Sequence, residues 1–232
     1  MKKSFVFGVV ALASALQIVS AADITGKVTL KGTPPPEKEI PMDAVCGKLH
    51  TGPVKTRLYV VGADNGLANT FVYIKSGLPA GKKFEPTKPL LLDQVGCLYD
   101  PYISGVMVGQ EFQIRNSDAV LHNVHTTPAV NPELEFNFGQ PVQGQVSKKT
   151  LNKPEVMLRF KCDVHPWMFA YVGVVEHPFF AVTDKDGNFT IPNVPPGKYT
   201  LEAKHMKAGV KPSEITVGDK NETVAFELSV PQ

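Results

Sequence analysis

Long hydrophobic runs are missing from the chain beyond residue 19, so no later segment predicts a membrane span. A dominant charge is missing as well, because 24 Lys and Arg residues stand against 22 Asp and Glu residues. This balance excludes the strongly basic surface that binds nucleic acid or anionic lipid. Long amphipathic helices and low-complexity tracts are also lacking. The 43% hydrophobic and 20% charged composition is that of a folded globular protein.

The N-terminus has the layout of a secretory signal peptide over residues 1–22. Lys2 and Lys3 precede an apolar run from residue 5 to 19, and three small residues follow at 20–22. The run is shorter than the roughly 20 residues of a membrane span. The alternative to a cleaved signal peptide is an uncleaved membrane anchor. Cleavage after residue 22 would leave 22 basic and 22 acidic residues. We therefore expect a periplasmic or secreted protein without a membrane span.

Cysteine is scarce and odd in number, with only Cys46, Cys97 and Cys162 in the chain. Export implies an oxidising compartment where thiols pair, and an odd count leaves one thiol over. Because Cys162 lies in a motif that needs a free thiolate, we expect a disulfide between Cys46 and Cys97. Closing this loop would stabilise the fold by roughly 4 kcal/mol in the chain-entropy model.

Short alternating stretches separated by Gly, Pro, Asn and Asp predict an all-β fold. One predicted strand matters most, because it leads directly into Cys162. Its period of two places one set of side chains toward the interior and Met157, Arg159 and Lys161 on the opposite face. The predicted interior set is Val156, Leu158, Phe160 and Cys162.

Composition and turns divide the exported chain into three predicted parts. Residues 23–88 form an N-terminal β segment, residues 89–178 a first β-sandwich domain, and residues 179–232 a smaller β module. One hypothesis is that residues 23–85 and 179–232 form a single sandwich into which the middle domain is inserted. The turn at Asp184–Gly187 is read as a hairpin, because it lacks the further oxygen ligands of a calcium loop.

Two short stretches about 40 residues apart carry metal-binding chemistry. The first contains His122 and His125; the second begins at Cys162 and continues to His165 and Met168. Together they offer imidazole, thiolate and thioether donors, a mixture that suits copper cycling between Cu(I) and Cu(II). On the residues alone, either histidine of the first stretch is a candidate ligand. For Met168, the alternative to a role as metal ligand is packing in the apolar core.

Tyr99 to Val175 resembles the cupredoxins, and the Cys-Asp-Val-His-Pro-Trp-Met loop at 162–168 is most similar to that of amicyanins. The resemblance implies a Greek-key β-sandwich holding one type 1, or blue, copper ion. It implies His122, Cys162 and His165 as equatorial ligands and Met168 as the axial ligand, with His125 outside the set. It also implies that the backbone N–H of Asn123 lies near the Cys162 sulfur.

The C-terminal unit is similar to another family, the carboxypeptidase regulatory-like β-sandwich. The resemblance rests on Thr183-Asp-Lys-Asp-Gly187-x-Phe189 and on Val194-Pro-Pro-Gly197-x-Tyr199, and residues 24–28 look like the first strand of such a module. It implies a scaffold or contact surface and no activity of its own.

These observations favour a one-electron carrier with transient redox protein partners. The alternatives are a copper-handling protein, such as a chaperone or sequestration module, and a structural or interaction β protein. We expect no enzyme, because six histidines, three of them scattered at His50, His177 and His205, cannot build a multicopper cluster. The exposed edge of His165 is the expected electron exit. Trp167 is expected either to pack on the sandwich or to form a docking patch beside that edge. The oligomeric state is left open.

Overall fold

The computed structural model describes residues 21–86 and 88–231, so residues 1–20 of the expected signal peptide lie outside the described residues. Within the described ranges the chain forms sixteen strands and one short helix, α1 (Ala44–Gly47). The strands are β1 (Ala22–Lys31), β2 (Phe71–Ser76), β3 (Leu90–Val95), β4 (Leu98–Asp100), β5 (Ile103–Met107), β6 (Glu111–Asn116), β7 (His122–Thr127), β8 (Asn137–Gln140), β9 (Val146–Thr150), β10 (Glu155–Lys161), β11 (Phe169–Val175), β12 (Phe180–Val182), β13 (Asn188–Val194), β14 (Gly197–His205), β15 (Gly209–Val217) and β16 (Glu222–Ser229). Two 3-10 turns cover Ala63–Asn65 and Pro132–Leu134. The predicted all-β class is confirmed.

The middle of the chain forms a sandwich of two sheets, with strand orders β5-β11-β10-β7-β8 and β4-β3-β6-β9. Their facing side chains make one apolar core that includes Leu92, Phe112, Phe160 and Val172. Strands β10 and β7 are neighbours, with Lys161 opposite His125. The two metal-binding stretches of the sequence therefore start from adjacent strands.

The two ends of the chain share the other pair of sheets. Strand β1 runs between β13 and β16, and β2 lies between β12 and β14. A second apolar core fills the space between these sheets and includes Ile24, Val28, Leu201 and Phe226. Segments from before and after the middle sandwich are thus hydrogen-bonded to each other. The limits at residues 88 and 178 stay a prediction.

A third apolar cluster joins the two sandwiches around the Phe71 ring. The ring lies so close to β5 and β11 that a Cβ added at Gly173 would be 2.3 Å from it, and one at Gly105 would be 2.7 Å from it. Tyr102 and Val175 pack into the same cluster. Glycine is needed at both positions because the backbone approaches the aromatic ring without room for a side chain.

Strand β10 departs from the predicted alternation at its start. Its pairing with β11 shifts register between Glu155 and Leu158, and Met157 has a positive φ of 69°. This bulge turns Val156 toward the cluster around Phe71, whereas Leu158 enters the core of the middle sandwich. The prediction that Val156 shares a face with Leu158 is therefore wrong. The rest of the strand keeps the expected face.

His205, at the end of β14, makes the stability of the fold depend on pH. Its ring is buried, and Nδ1 accepts the backbone N–H of Ala208 at 3.0 Å. Burial lowers the pKa of His205 to about 4, although Glu37 opposes the shift. The folded state therefore disfavours the charged ring. Stability should be complete above the unfolded pKa of about 6.5 and fall as the pH drops toward 4, by roughly 3 kcal/mol from this residue.

Urea unfolding of the chain at pH 7 and at pH 4.5 measures this loss. The His205→Gln variant is the matched control, since it cannot become charged, and it should lose less stability than the parent over the same interval. Equal losses in both proteins would contradict the assignment to His205.

Candidate metal centre

The loop between β10 and β11 carries three of the proposed donors. The Cys162 N–H donates to the Met168 carbonyl at 3.0 Å, and the Met168 N–H donates to the His165 carbonyl at 2.9 Å. Pro166 fixes one backbone angle within the segment that these two hydrogen bonds close. The loop is thereby closed by its own backbone, which holds Cys162 and His165 in place without a metal.

Three side chains converge on one point inside this loop. His122 Nδ1 lies 3.1 Å from His165 Nδ1, and His165 Nδ1 lies 3.6 Å from Cys162 Sγ. The exposed fractions of His122, Cys162 and His165 are 0%, 2% and 5%. A cluster of two imidazoles and one thiol, enclosed from water, can bind a soft or borderline metal ion. The donor atoms of all three lie within 4.8 Å of one another.

Met168 stays a predicted ligand. Its side chain is fully buried, in the same apolar cluster as Cys162. Its backbone closes the loop, so the residue is fixed at the base of the site.

Asp118 orients His122 from the side away from the cluster. The Asp118 carboxylate accepts from His122 Nε2 at 2.8 Å and from the backbone N–H groups of Gly96 and Cys97, both at 2.8 Å. With its proton on Nε2, His122 presents the Nδ1 lone pair to the cluster. Burial alone would lower the pKa of His122, but the hydrogen bond to Asp118 and the nearby Cys162 raise it above its ordinary value.

The environment of Cys162 favours its thiolate. Burial acts to raise the pKa of the thiol, but the neighbouring His122 and the hydrogen bond from the Asn123 backbone N–H bring it below the ordinary value. The Asn123 N–H lies 3.3 Å from Sγ, as the cupredoxin resemblance implies. The Asn123 side chain also accepts the Asp163 N–H at 3.1 Å and so braces the loop. For His165, burial and the neighbouring His122 lower the pKa, which keeps the ring neutral.

His125 lies outside the cluster. Its Nδ1 is 2.7 Å from Asp163 Oδ2, and its Nε2 is 3.6 Å from Glu135 Oε1. Both ring nitrogens therefore face carboxylates on the other side of the strand. The two histidines of the first stretch have opposite surroundings, and only His122 faces Cys162.

A pair of alanine variants should separate the two histidines. His125→Ala should leave copper binding nearly unchanged, because neither ring nitrogen points to the cluster. His122→Ala should weaken it strongly by removing one of three converging donors. Titration of each purified variant with a competing chelator measures both effects. A larger loss in His125→Ala than in His122→Ala would reverse the assignment.

A disulfide lies directly against this site. Cys46 and Cys97 are bonded, as expected from the need for a free thiolate at Cys162, and Cys162 remains unbridged. Cys46 belongs to α1, within a hairpin-like excursion of residues 38–56 that we call the cover segment. The Ile40 N–H donates to the Val54 carbonyl at 2.8 Å and the Thr56 N–H to the Lys38 carbonyl at 2.8 Å, which closes the base of this segment.

The cover segment overturns one expectation about His165. The ring has no exposed edge, because only 5% of the residue is accessible and Asp43 Oδ2 lies 3.8 Å from its Nε2. Trp167 is half-buried, and its Nε1 donates to the Cys97 carbonyl at 3.1 Å, so the indole is part of the enclosure. The sequence placed Cys46 and Cys97 in a disulfide but gave no indication that it would lie over a ligand.

Comparisons with known proteins give a partial picture. The sequence model of the β-sandwich domain of ER membrane protein complex subunit 7 matches residues 163–232, less than a third of the chain. No curated protein matches the sequence.

Among solved structures, a copper-containing nitrite reductase from Thermus scotoductus SA-01 is 22% identical, with a TM-score of 0.36 over 44% of this chain and 25% of that one. A Cu(I) form of an amicyanin variant is 22% identical, with a TM-score of 0.34 over 44% of this chain and 97% of that one. A reduced amicyanin variant gives 23% identity at the same TM-score and coverage. The likeness is to a cupredoxin-like β-sandwich, and it is weak.

Proposed function

We propose that this chain holds one copper ion through His122, Cys162 and His165, with Met168 as a weaker fourth ligand, and passes one electron at a time. The convergence of two imidazole nitrogens and one thiol carries the proposal: His165 Nδ1 lies 3.1 Å from His122 Nδ1 and 3.6 Å from Cys162 Sγ. Copper bound by such donors cycles between Cu(I) and Cu(II). This function would be that of a mononuclear type 1 copper protein.

The residues around the cluster suit electron transfer because they hold the donors still. Asp118 fixes His122, the Asn123 N–H fixes the Cys162 sulfur, and the loop backbone fixes His165. Nearly complete burial excludes water from the donors. A rigid, dry site rearranges little when its charge changes by one unit, which keeps the barrier to transfer low.

We further propose an exported location, periplasmic or secreted, and transient redox protein partners without enzymatic turnover. None of the described helices has the length and apolar composition that a membrane crossing needs. The electron would not leave through an exposed His165 edge. It would cross the enclosing layer, where the Trp167 ring lies 5.3 Å from the His165 ring and the disulfide sulfurs lie within 4.8 Å of a His165 ring nitrogen.

A second candidate is an interaction module within a larger complex. The match of residues 163–232 to a β-sandwich domain of a membrane protein complex subunit favours it. That stretch begins one residue after Cys162 and includes His165 and Met168. In this case the outer sandwich would be the contact surface, and the metal cluster would be incidental.

Voltammetry of the copper-loaded chain, combined with chelator challenge, distinguishes the functions. A carrier should give a reversible one-electron wave and keep its ion against a competing chelator. A copper-handling protein should release the ion readily. An interaction module should bind no copper at stoichiometric levels, and this result would overturn the proposal.

Asp118→Asn tests whether the site is preorganised. The amide keeps the shape but loses the charge that orients His122, so copper affinity should fall by about 10- to 100-fold. Chelator competition measures the affinity and voltammetry the accompanying change in potential. Asp184→Asn is the matched control, because that carboxylate caps a distant turn through the Asn188 N–H at 2.8 Å. Equal affinities for both variants would contradict the assigned role.

A further inference from the structure

The metal centre is sealed while the disulfide is closed. The three converging donors are at most 5% exposed, and Cys46 and Cys97 above them are fully buried. Several contacts hold the cover segment down, including Asp43 near His165 and a 2.8 Å hydrogen bond between His50 Nε2 and the Gly96 carbonyl. An ion therefore needs a state of the protein in which this segment is released.

The two sulfur atoms of the disulfide form a second group of potential ligands. The Sγ atoms of Cys46 and Cys97 and a ring nitrogen of His165 lie within 4.8 Å of one another. When the disulfide is open, the two sulfurs become thiols, and soft thiolate ligands select Cu(I). Two thiolates and one imidazole at this spacing suffice for a three-coordinate Cu(I) site.

We propose that, before their disulfide forms, Cys46, Cys97 and His165 bind Cu(I) as a receiving site that fills the His122–Cys162–His165 centre. This inference rests on the proposed function, because it concerns loading of the same centre. His165 belongs to both groups, so one ligand residue is common to the receiving site and the centre that it fills. The disulfide then closes the cover segment over the loaded centre.

The closing step balances with an exported thiol–disulfide oxidoreductase as the oxidant. The Cys46 and Cys97 thiolates lose two electrons as their S–S bond forms. The partner's disulfide takes these two electrons, together with two protons from solvent, and becomes a dithiol. The copper stays Cu(I) throughout.

The receiving site and the His122–Cys162–His165 centre are also connected by direct hydrogen bonds. The Asp118 carboxylate binds both the Cys97 N–H and His122 Nε2, each at 2.8 Å. Trp167 connects the loop to the Cys97 carbonyl. Movement of the turn that carries Cys97 therefore reaches His122 and the ligand loop through single contacts.

The test isolates the receiving site in the Cys162→Ser chain, which lacks the sulfur of the main centre. Its disulfide and dithiol forms are prepared without and with a phosphine reductant and titrated with Cu(I) against a competing chelator. We expect the dithiol form to bind one Cu(I) per chain about 100-fold more tightly than the disulfide form. X-ray absorption should show two sulfur neighbours and one nitrogen neighbour.

Matched variants test whether Cu(I) binds at the site of Cys46, Cys97 and His165 or merely to any pair of reduced thiols. Adding His165→Gln to Cys162→Ser should weaken binding by the dithiol form about tenfold, and adding Cys46→Ser should abolish the gain on reduction. Equal affinity in the two disulfide states, or a gain that does not depend on His165, would overturn the proposal. Circular dichroism checks that each form is folded.

A kinetic arm uses the unmodified chain and does not depend on any variant. Copper uptake should be faster in its dithiol form than in its disulfide form, and equal rates would overturn the proposal. The proposal of a receiving site and the proposal of electron transfer can be refuted independently of each other. If the dithiol Cys162→Ser chain binds Cu(I) but the loaded disulfide protein shows no reversible redox wave, only the function is refuted.

Discussion

Replacing Cys162 with serine is expected to abolish the charge-transfer colour of the Cu(II)-loaded chain and to lower copper affinity by several orders of magnitude. Cys162 is the only cysteine outside a disulfide in the described part of the chain, and its sulfur lies within 4.8 Å of a ring nitrogen of each ligand histidine. A serine hydroxyl ionises far less readily and is a poor ligand for Cu(I). Absorption spectra and chelator titration measure the two losses.

The fold should survive this change. Serine is close to cysteine in size, and its oxygen can accept the Asn123 N–H that now points to the sulfur at 3.3 Å. Circular dichroism of the variant should therefore match that of the parent. If the folded variant kept the colour and the redox wave, Cys162 would not be the ligand.

Removal of the disulfide is expected to have the largest effect on stability. The Cys46→Ser/Cys97→Ser chain should lose about 4 kcal/mol of unfolding free energy, because the bond closes a loop with a sequence separation of 51. The loss should appear as a lower urea midpoint. The cover segment should also become accessible, with faster hydrogen exchange at α1 than in the parent.

Chemical reduction of the parent gives a matched comparison without a substitution. The reduced parent and the double variant should unfold at similar urea concentrations. An unchanged midpoint in both would mean that packing of the cover segment, and not the covalent bond, holds it in place.

The sequence was most informative where pattern and chemistry are local. Alternating residues identified the strands, and the spacing of Cys162, His165 and Met168 identified the ligand loop, because a loop of seven residues between paired strands leaves few arrangements. The odd cysteine count, together with the need for a free thiolate at Cys162, predicted the disulfide between Cys46 and Cys97. The family resemblance, and not the spacing, selected His122 over His125; the structure places His122 beside Cys162 and His125 beside Asp163.

Long-range contacts were not accessible from the sequence. Nothing in residues 38–56 indicates that they lie on His165, because the contact joins segments more than 100 residues apart. The expected exposed edge of that histidine was wrong for this reason. The bulge at Met157 was missed as well, because Val156, Met157 and Leu158 are all apolar and the change of face between them leaves no mark in the polar and apolar pattern.

The proposed centre requires that one thiolate and two imidazoles bind a single copper ion. Absorption and paramagnetic-resonance spectra of the Cu(II)-loaded, disulfide-intact chain test it most directly. We expect an intense visible sulfur-to-copper band and a narrowed copper hyperfine splitting at one ion per chain. A pale protein with the wide splitting of ordinary nitrogen and oxygen ligation, or one that takes up no copper, would contradict it.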